Sequence, residues 1–490
     1  MVEIFILAFL IMGFVEFVKV DLVGHDAYFH TGYAKVLAEH GPMDTFRWNQ
    51  ASVLKNRYVD KEFLFHVLLI PFLGNEMRTG PKLLTVILAA ALFALLAWVA
   101  TRHRAPWPWL WPSVALASGG YFLFRLNLTR PHMLSILLTV WASHLISRRH
   151  YLGIFIISVA YPLAYTAAHM LPMLAGVYLF SAFVMGDKIP WKIIWVVLAG
   201  TILGFLLHPN RANILYLWWV QNVWGLLNGL SMGGDIGAEL GSRLSRYMLQ
   251  EHWILAGFGI TVLSGFMLNR IKVRTSTVFF FFTSCGFGVL YLSFMRFVNY
   301  WVVFFVLFLA CASRDMLNAP EQEKGFAFSW IKSHRWWRAV ISGIAISALL
   351  FQAVYGVLES RLYVANNKTP KLKQEAKFIS KNVPGGDTVF TCEWDSFPFL
   401  FHYAPGPNYL VGMDPTFMQV QDPQLYEQWT RMCSNKAKEL DPYQLITNRF
   451  QASWALVEKR PDNMEFLNVL EKDDRFHRIY EGKDGVLFHL

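Results

Sequence analysis

Phe63-Leu64-Phe65-His66-Val67-Leu68-Leu69-Ile70-Pro71-Phe72-Leu73 is the stretch on which the topology of this chain turns. It is apolar, but it ends at Gly74, well short of the roughly 20 residues a helix needs to cross the hydrocarbon of a bilayer. If it crossed, every segment after it would change sides and the Arg-rich loops would lie outside, against the positive-inside rule. Read instead as a helix lying against the membrane face, it leaves those basic loops together in the cytoplasm.

Working outward, apolar runs near spanning length recur on both sides of this stretch. The first is Ile4–Val20, followed by runs near 83–101, 108–124, 132–147, 151–167, 171–185, 192–207, 253–269, 277–293, 298–313 and 338–357. The composition agrees, with 55% hydrophobic and only 16% charged residues, more apolar than one soluble core uses. The first run lacks a basic leader and a small-residue cleavage site, so it reads as an uncleaved span with its N-terminus inside. About eleven spans then put the C-terminus outside.

The loops Arg102/Arg104, Arg148/Arg149, Lys188/Lys192, Arg270/Lys272/Arg274 and Arg314 through Arg338 form one cytoplasmic set in this scheme. That distribution explains the formal net charge of +10 without a nucleic-acid partner. The composition changes after residue 357. Residues 358–490 are richer in charge, Pro and Gly and contain no span, so they read as a separate domain of mixed α/β type. Strand-like pieces fall at Thr388–Thr391, Tyr409–Gly412, Trp454–Val457 and Val486–His489, between helical stretches at Lys371–Asn382, Gln424–Ser434 and Asp441–Gln451. Thr369-Pro370 reads as the cap of the first of these helices.

Cys285 and Cys311 lie in spans and read as packing residues, whereas Cys392 and Cys433 share the outer domain, where a disulfide is chemically allowed. There is no CxxC, no Cys/His metal spacing, no Walker loop and no GxGxxG after a strand, which argues against ATP-driven and dinucleotide chemistry.

Two outer loops, 21–82 and 208–252, carry most of the candidate chemistry. Val23-Gly24-His25-Asp26-Ala27-Tyr28-Phe29-His30 places an acid directly before a helical pattern, so Asp26 reads either as an N-cap or as a reaction centre. Asp60 and Glu62 precede the Phe63–Leu73 run, where carboxylates also suit a helix start, and His66 lies within it. The turn Arg125-Leu126-Asn127-Leu128-Thr129-Arg130-Pro131-His132 joins two apolar runs, and Arg130 with His132 suits a bound phosphate or lipid headgroups. Arg296, in another short outer turn, suits either a phosphate or interfacial snorkelling. His169 reads as a turn residue. In the second loop, Ile214–Trp219 reads as an interfacial helix and Met232–Glu239 as a mobile segment, either a lid or a spacer. Glu393-Trp394-Asp395-Ser396-Phe397 and Leu410–Pro415 read as strand ends followed by turns.

These residues also carry a resemblance. Asp26-Ala27-Tyr28-Phe29-His30, with the helix ending Glu39-His40-Gly41, resembles the first-loop motif of the GT-C superfamily of membrane glycosyltransferases, most closely the catalytic subunit of oligosaccharyltransferases. Arg296-Phe297 resembles the family's late Arg-Phe pair, whose arginine holds the lipid-linked phosphate. The resemblance implies a polytopic GT-C-like domain, 1–357, followed by an extracytoplasmic α/β domain, 358–490, in the bacterial inner membrane. It implies transfer of a sugar or oligosaccharide from a polyprenyl-phosphate or -pyrophosphate carrier to a protein, glycan or lipid acceptor, with inversion at the anomeric carbon. Asp26 would be catalytic, with His30, Asp60, Glu62 and His66 in support, and Arg130, His132 and Arg296 would bind the donor phosphate.

Two departures qualify the likeness. The family's second acidic motif has no counterpart, because Arg130-Pro131-His132 takes its place. A divalent metal, Mg or Mn, is therefore left open, with Asp26 as its ligand were one bound. The acceptor-reading motif is only echoed by Trp394 and Asp395, so they are acceptor candidates without a sequon assignment. Two rival functions are a flippase for lipid-linked sugars, which needs the cations but no positioned carboxylate, and a membrane scaffold.

Overall fold

The computed structural model describes residues 1–225, 227, 245–268, 271–320, 334–434 and 437–490. The Met232–Glu239 segment lies outside them. By packing, the chain divides into two compact units, each assembled from separate stretches of sequence.

The first unit comprises Met1–Val20, Lys82–Leu207 and Met232–Asn367, and the regular elements among its described residues are helices. Among the described residues, four helices are long and apolar enough to cross a membrane: Thr79–Arg102, Thr275–Ser293, Met295–Leu317 and Trp336–Ala365. His132–Ser147, Tyr151–Ala164, Met170–Val184 and Lys192–Leu207 are shorter apolar helices. The expected count of eleven spans is not confirmed among the described residues. The run at 108–124 is two short helices, Leu110–Leu116 and Gly120–Leu126. Gly119 breaks it with φ +113°, a conformation costly for any residue with a side chain, and a Cβ there would meet Glu251 at 3.1 Å. The backbone of Gly120 donates to the Glu359 carboxylate at 3.2 Å. The helix carrying Glu359 runs Arg335–Ala365 and so continues through residue 357, where the sequence places the domain change.

Polar contacts pin this unit internally. Lys82 and Glu16, both buried, lie 3.9 Å apart, and Lys82 Nζ also donates to the Lys19 carbonyl. Arg314 donates to Asp315, to Thr277 and to the His103 carbonyl at 2.8–3.0 Å.

The second unit comprises Asp21–Pro81, His208–Ser231 and Lys368–Leu490. Its sheet has the order β2-β1-β3-β5-β4, with β1 Thr388–Thr391, β2 Asn408–Tyr409, β3 Trp454–Glu458, β4 His477–Glu481 and β5 Gly485–His489. β1 runs parallel to β2 and β3, and β5 runs antiparallel to β3 and β4. β2 is shorter than expected, and β4 carried no signal in the sequence because, as an edge strand, it is mostly exposed and polar. Cys392 and Cys433 form a disulfide.

The helix expected from Lys371 begins at Lys373. Thr369-Pro370 is a cis peptide, and the Thr369 hydroxyl donates to the Leu22 carbonyl at 2.9 Å rather than capping a helix. The sequence also missed the aromatic helix Phe397–Tyr403, whose Pro398 lies in its first turn.

Phe63–Leu69 forms an α-helix extended by one 3-10 turn to Phe72. At about 1.5 Å per residue it rises only about 15 Å, half of a hydrocarbon core. It packs instead within the second unit, burying Phe65, His66 and Leu69.

Candidate active site

The helix Asp26–His40 is the scaffold of the candidate site. Residues Ala27–Ala34 are all buried, and Gly32 sits so close to Phe401 that a Cβ would lie 3.2 Å from its ring. Gly41 ends the helix with φ +74°. Asp26 is the first helical residue, and His25, not Asp26, holds the cap position. The N-cap reading of Asp26 is thereby corrected: its carboxylate lies in the first turn, where unpaired N–H groups and the helix dipole favour negative charge. His30 is one turn on, on the same face as Asp26.

From His30 a hydrogen-bonded chain runs into the interior. His30 Nδ1 lies 2.8 Å from His66 Nε2, and His66 Nδ1 lies 2.7 Å from Asp60 Oδ1. His66 and Asp60 are at most 1% exposed and His30 5%, so this is a buried carboxylate bonded to two imidazoles in series. Its walls are aromatic. Phe65 meets His30 edge-on at 5.4 Å, and Tyr33 meets His66 at 4.9 Å. Away from water these charge-assisted bonds gain strength.

A second loop fixes Asp60. Asn210 Oδ1 accepts its backbone N–H at 3.0 Å, and Asn210 Nδ2 donates to Met43 O at 2.8 Å and to Asp44 Oδ1 at 2.9 Å. His208 Nδ1 accepts the Asn210 N–H at 3.1 Å, so its Nε2 carries the proton and donates to Asp60 O at 3.2 Å. Burial lowers the pKa of His208. Neither His208 nor Asn210 was singled out from the sequence. His208-Pro209-Asn210 announces only a turn, and nothing local ties it to residue 60.

Asp60 and Glu62 were expected to favour the start of the following helix. Asp60 Oδ1 does accept the Glu62 N–H at 3.3 Å, but it also binds His66, and Glu62 makes no capping bond. Burial raises the Glu62 pKa; Lys61, whose Nζ is 3.8 Å away, and His66 oppose the shift, while Asp60 and Asp26 add to it.

The cationic candidates lie in the first unit. Arg130 precedes the helix His132–Ser147, with Pro131 at its cap position, and His132 Nε2 donates to Arg125 O at 3.0 Å. Arg296 is exposed in the turn before the helix Val298–Leu317. Ser135 and Tyr300, each in the first turn of its helix, bring their hydroxyls within 2.7 Å. The two helix N-termini, each preceded by an arginine, therefore lie side by side. Oriented N–H groups with arginines form a setting that favours anions.

Trp394 packs against the core of the second unit, and Asp395 accepts from Arg460 Nη2 at 2.8 Å. Arg460 also binds Glu393 at 2.8 Å and Glu458 at 2.7 Å. Among the described residues, no three His, Cys, Asp or Glu side chains gather as a metal ion requires.

Compared by sequence, no family model matches the chain, and neither does any curated protein. Compared by structure, the chain resembles the oligosaccharyltransferase of Archaeoglobus fulgidus with TM-score 0.63 at 11% identity, covering 93% of this chain and 69% of that one. The chain has the GT-C fold. It also resembles ArnT from Cupriavidus metallidurans bound to undecaprenyl phosphate, with TM-score 0.61 at 13% identity, covering 99% of this chain and 97% of ArnT. A third likeness is to the mycobacterial arabinofuranosyltransferase AftD, with TM-score 0.55 at 12% identity, in which this chain spans 39% of the larger protein.

Proposed function

We propose that this GT-C protein is an inverting glycosyltransferase that moves a sugar or oligosaccharide from a polyprenyl-phosphate or -pyrophosphate carrier to an acceptor on the non-cytoplasmic face of a membrane. The observation that carries the reading is the acid–base assembly of the second unit: Asp26 at a helix start, one turn before two buried imidazoles braced by a carboxylate. A flippase or scaffold has no use for such a group. The structural neighbours support the donor class, since ArnT was solved with undecaprenyl phosphate and the archaeal oligosaccharyltransferase AglB with a dolichol-phosphate.

In this reading Asp26 takes the proton from an acceptor hydroxyl as its oxygen bonds to the anomeric carbon. The bond from that carbon to the phosphate oxygen breaks, and its electron pair leaves on the phosphate. Arg296 and Arg130 stabilise the charge that develops there. His132, whose imidazole is bonded to Arg125 O, shapes the Arg130 turn. Trp394 and Asp395 remain acceptor candidates.

The test is incubation of the purified full chain with polyprenyl-phosphate-linked, labelled sugars. Transfer of label with release of free polyprenyl phosphate is the expected result. Movement of intact donor between leaflets of vesicles, without loss of its sugar, would overturn the reading in favour of a flippase.

A further inference from the structure

The hydrogen bonds of the buried chain dictate its proton positions. An ionised Asp60 can only accept, so His66 carries its proton on Nδ1 and, when neutral, turns the lone pair of Nε2 to His30. His30 must then donate from Nδ1, which makes its own Nε2 the basic nitrogen. The opposite polarity would require a protonated Asp60.

A second observation shows where positive charge would settle. Asp60 Oδ2 is buried and has no hydrogen-bond partner among the described residues. A carboxylate left short of partners in an apolar setting gains strongly from a cation forming beside it. An imidazole that receives a proton on one nitrogen can release one from the other, so a proton arriving at His30 Nε2 can appear as an imidazolium at His66, against Asp60.

We propose that His30, His66 and Asp60 form a proton relay behind Asp26, and this proposal rests on the transferase reading. The acceptor hydroxyl gives its proton to Asp26. Asp26 passes it to His30 Nε2, and His30 passes its Nδ1 proton to His66 Nε2. The imidazolium so formed is held by Asp60, and Asp26 is again a carboxylate. After the product leaves, the proton returns by the same path to Asp26 and passes from there to water, which leaves Asp26 ionised for the next turnover. His30, His66 and Asp60 are thus positioning residues that act through Asp26, and the fold gives them a task beyond packing.

Other charged and titratable groups face this chain. Asp26 and Tyr33 share the helix of His30, and Tyr58, Lys61 and Glu62 flank Asp60. His402 projects from Phe397–Tyr403, and Asp44 and His208 approach through the Asn210 loop. Burial holds His402 down to about 4, so it stays neutral across the range in which imidazoles ordinarily titrate.

The experiment is the pH–rate profile of sugar transfer by the full chain and its Asp60→Asn and His30→Gln variants, with donor KM and thermal unfolding measured in parallel. Asn preserves the size of Asp60 and an acceptor oxygen for His66 but removes the charge. The relay predicts a fall in kcat of at least about tenfold with donor KM unchanged. It also predicts a pH–rate profile that differs from wild type, since the charge that faces the imidazolium formed during turnover is gone. His30→Gln should match the loss in kcat. Should Asp60→Asn fail to fold, His30→Gln decides by the same measurements. Wild-type transfer with either folded variant keeping the wild-type kcat and profile would overturn the relay and leave the transferase reading standing. A wild-type chain that transfers no sugar would overturn the transferase reading itself.

Discussion

The hydroxyl of Tyr300 lies 2.7 Å from that of Ser135, and this contact sets the Arg296 turn beside the Arg130 turn. Both hydroxyls sit in the first turn of their helices, so two helix N-termini and two arginines gather at one end of the first unit. For an anion such as the donor phosphate of the proposed reaction, two such arginines form a stronger setting than either alone.

Arg296→Ala is therefore expected to weaken binding of a polyprenyl-phosphate donor about ten- to a hundredfold, the equivalent of roughly 1.5–3 kcal/mol for a charge-assisted contact. Because Arg296 is exposed in its turn, its loss should leave the unfolding temperature close to wild type. Equal donor binding by the purified variant and the parent removes Arg296 from the phosphate site. Arg130→Ala is the parallel substitution.

The buried pair Glu16 and Lys82 invites a stability measurement. Both side chains are at most 1% exposed, so Lys82→Met strands a carboxylate away from water. A loss of about 3–5 kcal/mol is expected. Replacing both partners with apolar residues should restore most of it. A Lys82→Met protein that unfolds at the wild-type temperature shows that the pair holds nothing together.

The Cys392–Cys433 disulfide closes a separation of 41 residues. The loop-entropy relation gives about 4 kcal/mol for a loop of that size. Replacing both cysteines by serine is expected to destabilise the second unit by that order, measured by thermal unfolding without reductant. An unchanged midpoint in that variant refutes the expectation.

Orientation is open to direct labelling. With cysteines placed singly at Lys55, Asn366 and Lys272 in a Cys-free background, an impermeant thiol reagent on intact cells is expected to mark the first two and spare the third. The reverse pattern inverts the topology inferred from the basic loops.

How much of this was legible in the sequence varies with the physics behind each feature. Long apolar helices such as Thr79–Arg102 announce themselves by length. The break at Gly119 does not, because apolar residues flank it on both sides and the Glu251 atoms that crowd it come from elsewhere in the chain. Asp26, His30, Asp60, Glu62 and His66 could each be picked out as chemically able. Their connection could not, since residues 30, 60 and 66 meet only through tertiary packing, and the Asn210 loop that fixes Asp60 is a turn in any local reading. The capping role read for Thr369 failed because its hydroxyl finds a tertiary partner in the Leu22 carbonyl, and that read for Asp26 failed because the helix begins one residue earlier than the local signal suggests, with His25 at the cap position.

Asp26 remains the residue on which the transferase reading depends, and Asp26→Asn separates its roles. As the first residue of its helix, without a side-chain cap bond, Asp26 carries its charge where the helix dipole favours it, by about 0.3–1 kcal/mol. Asn loses that charge but keeps shape and polarity, so a purely structural Asp26 predicts a slightly less stable protein with normal turnover. A base needs the ionised carboxylate, which an amide cannot replace, so a catalytic Asp26 predicts a rate at least about a hundredfold lower with donor binding retained. Glu at this position keeps the charge while moving it by one methylene, so partial recovery in Asp26→Glu would tie the loss to proton transfer. If the folded Asp26→Asn protein turns over at a near-normal rate, the carboxylate has no part in the chemistry and the relay behind it has nothing to drain.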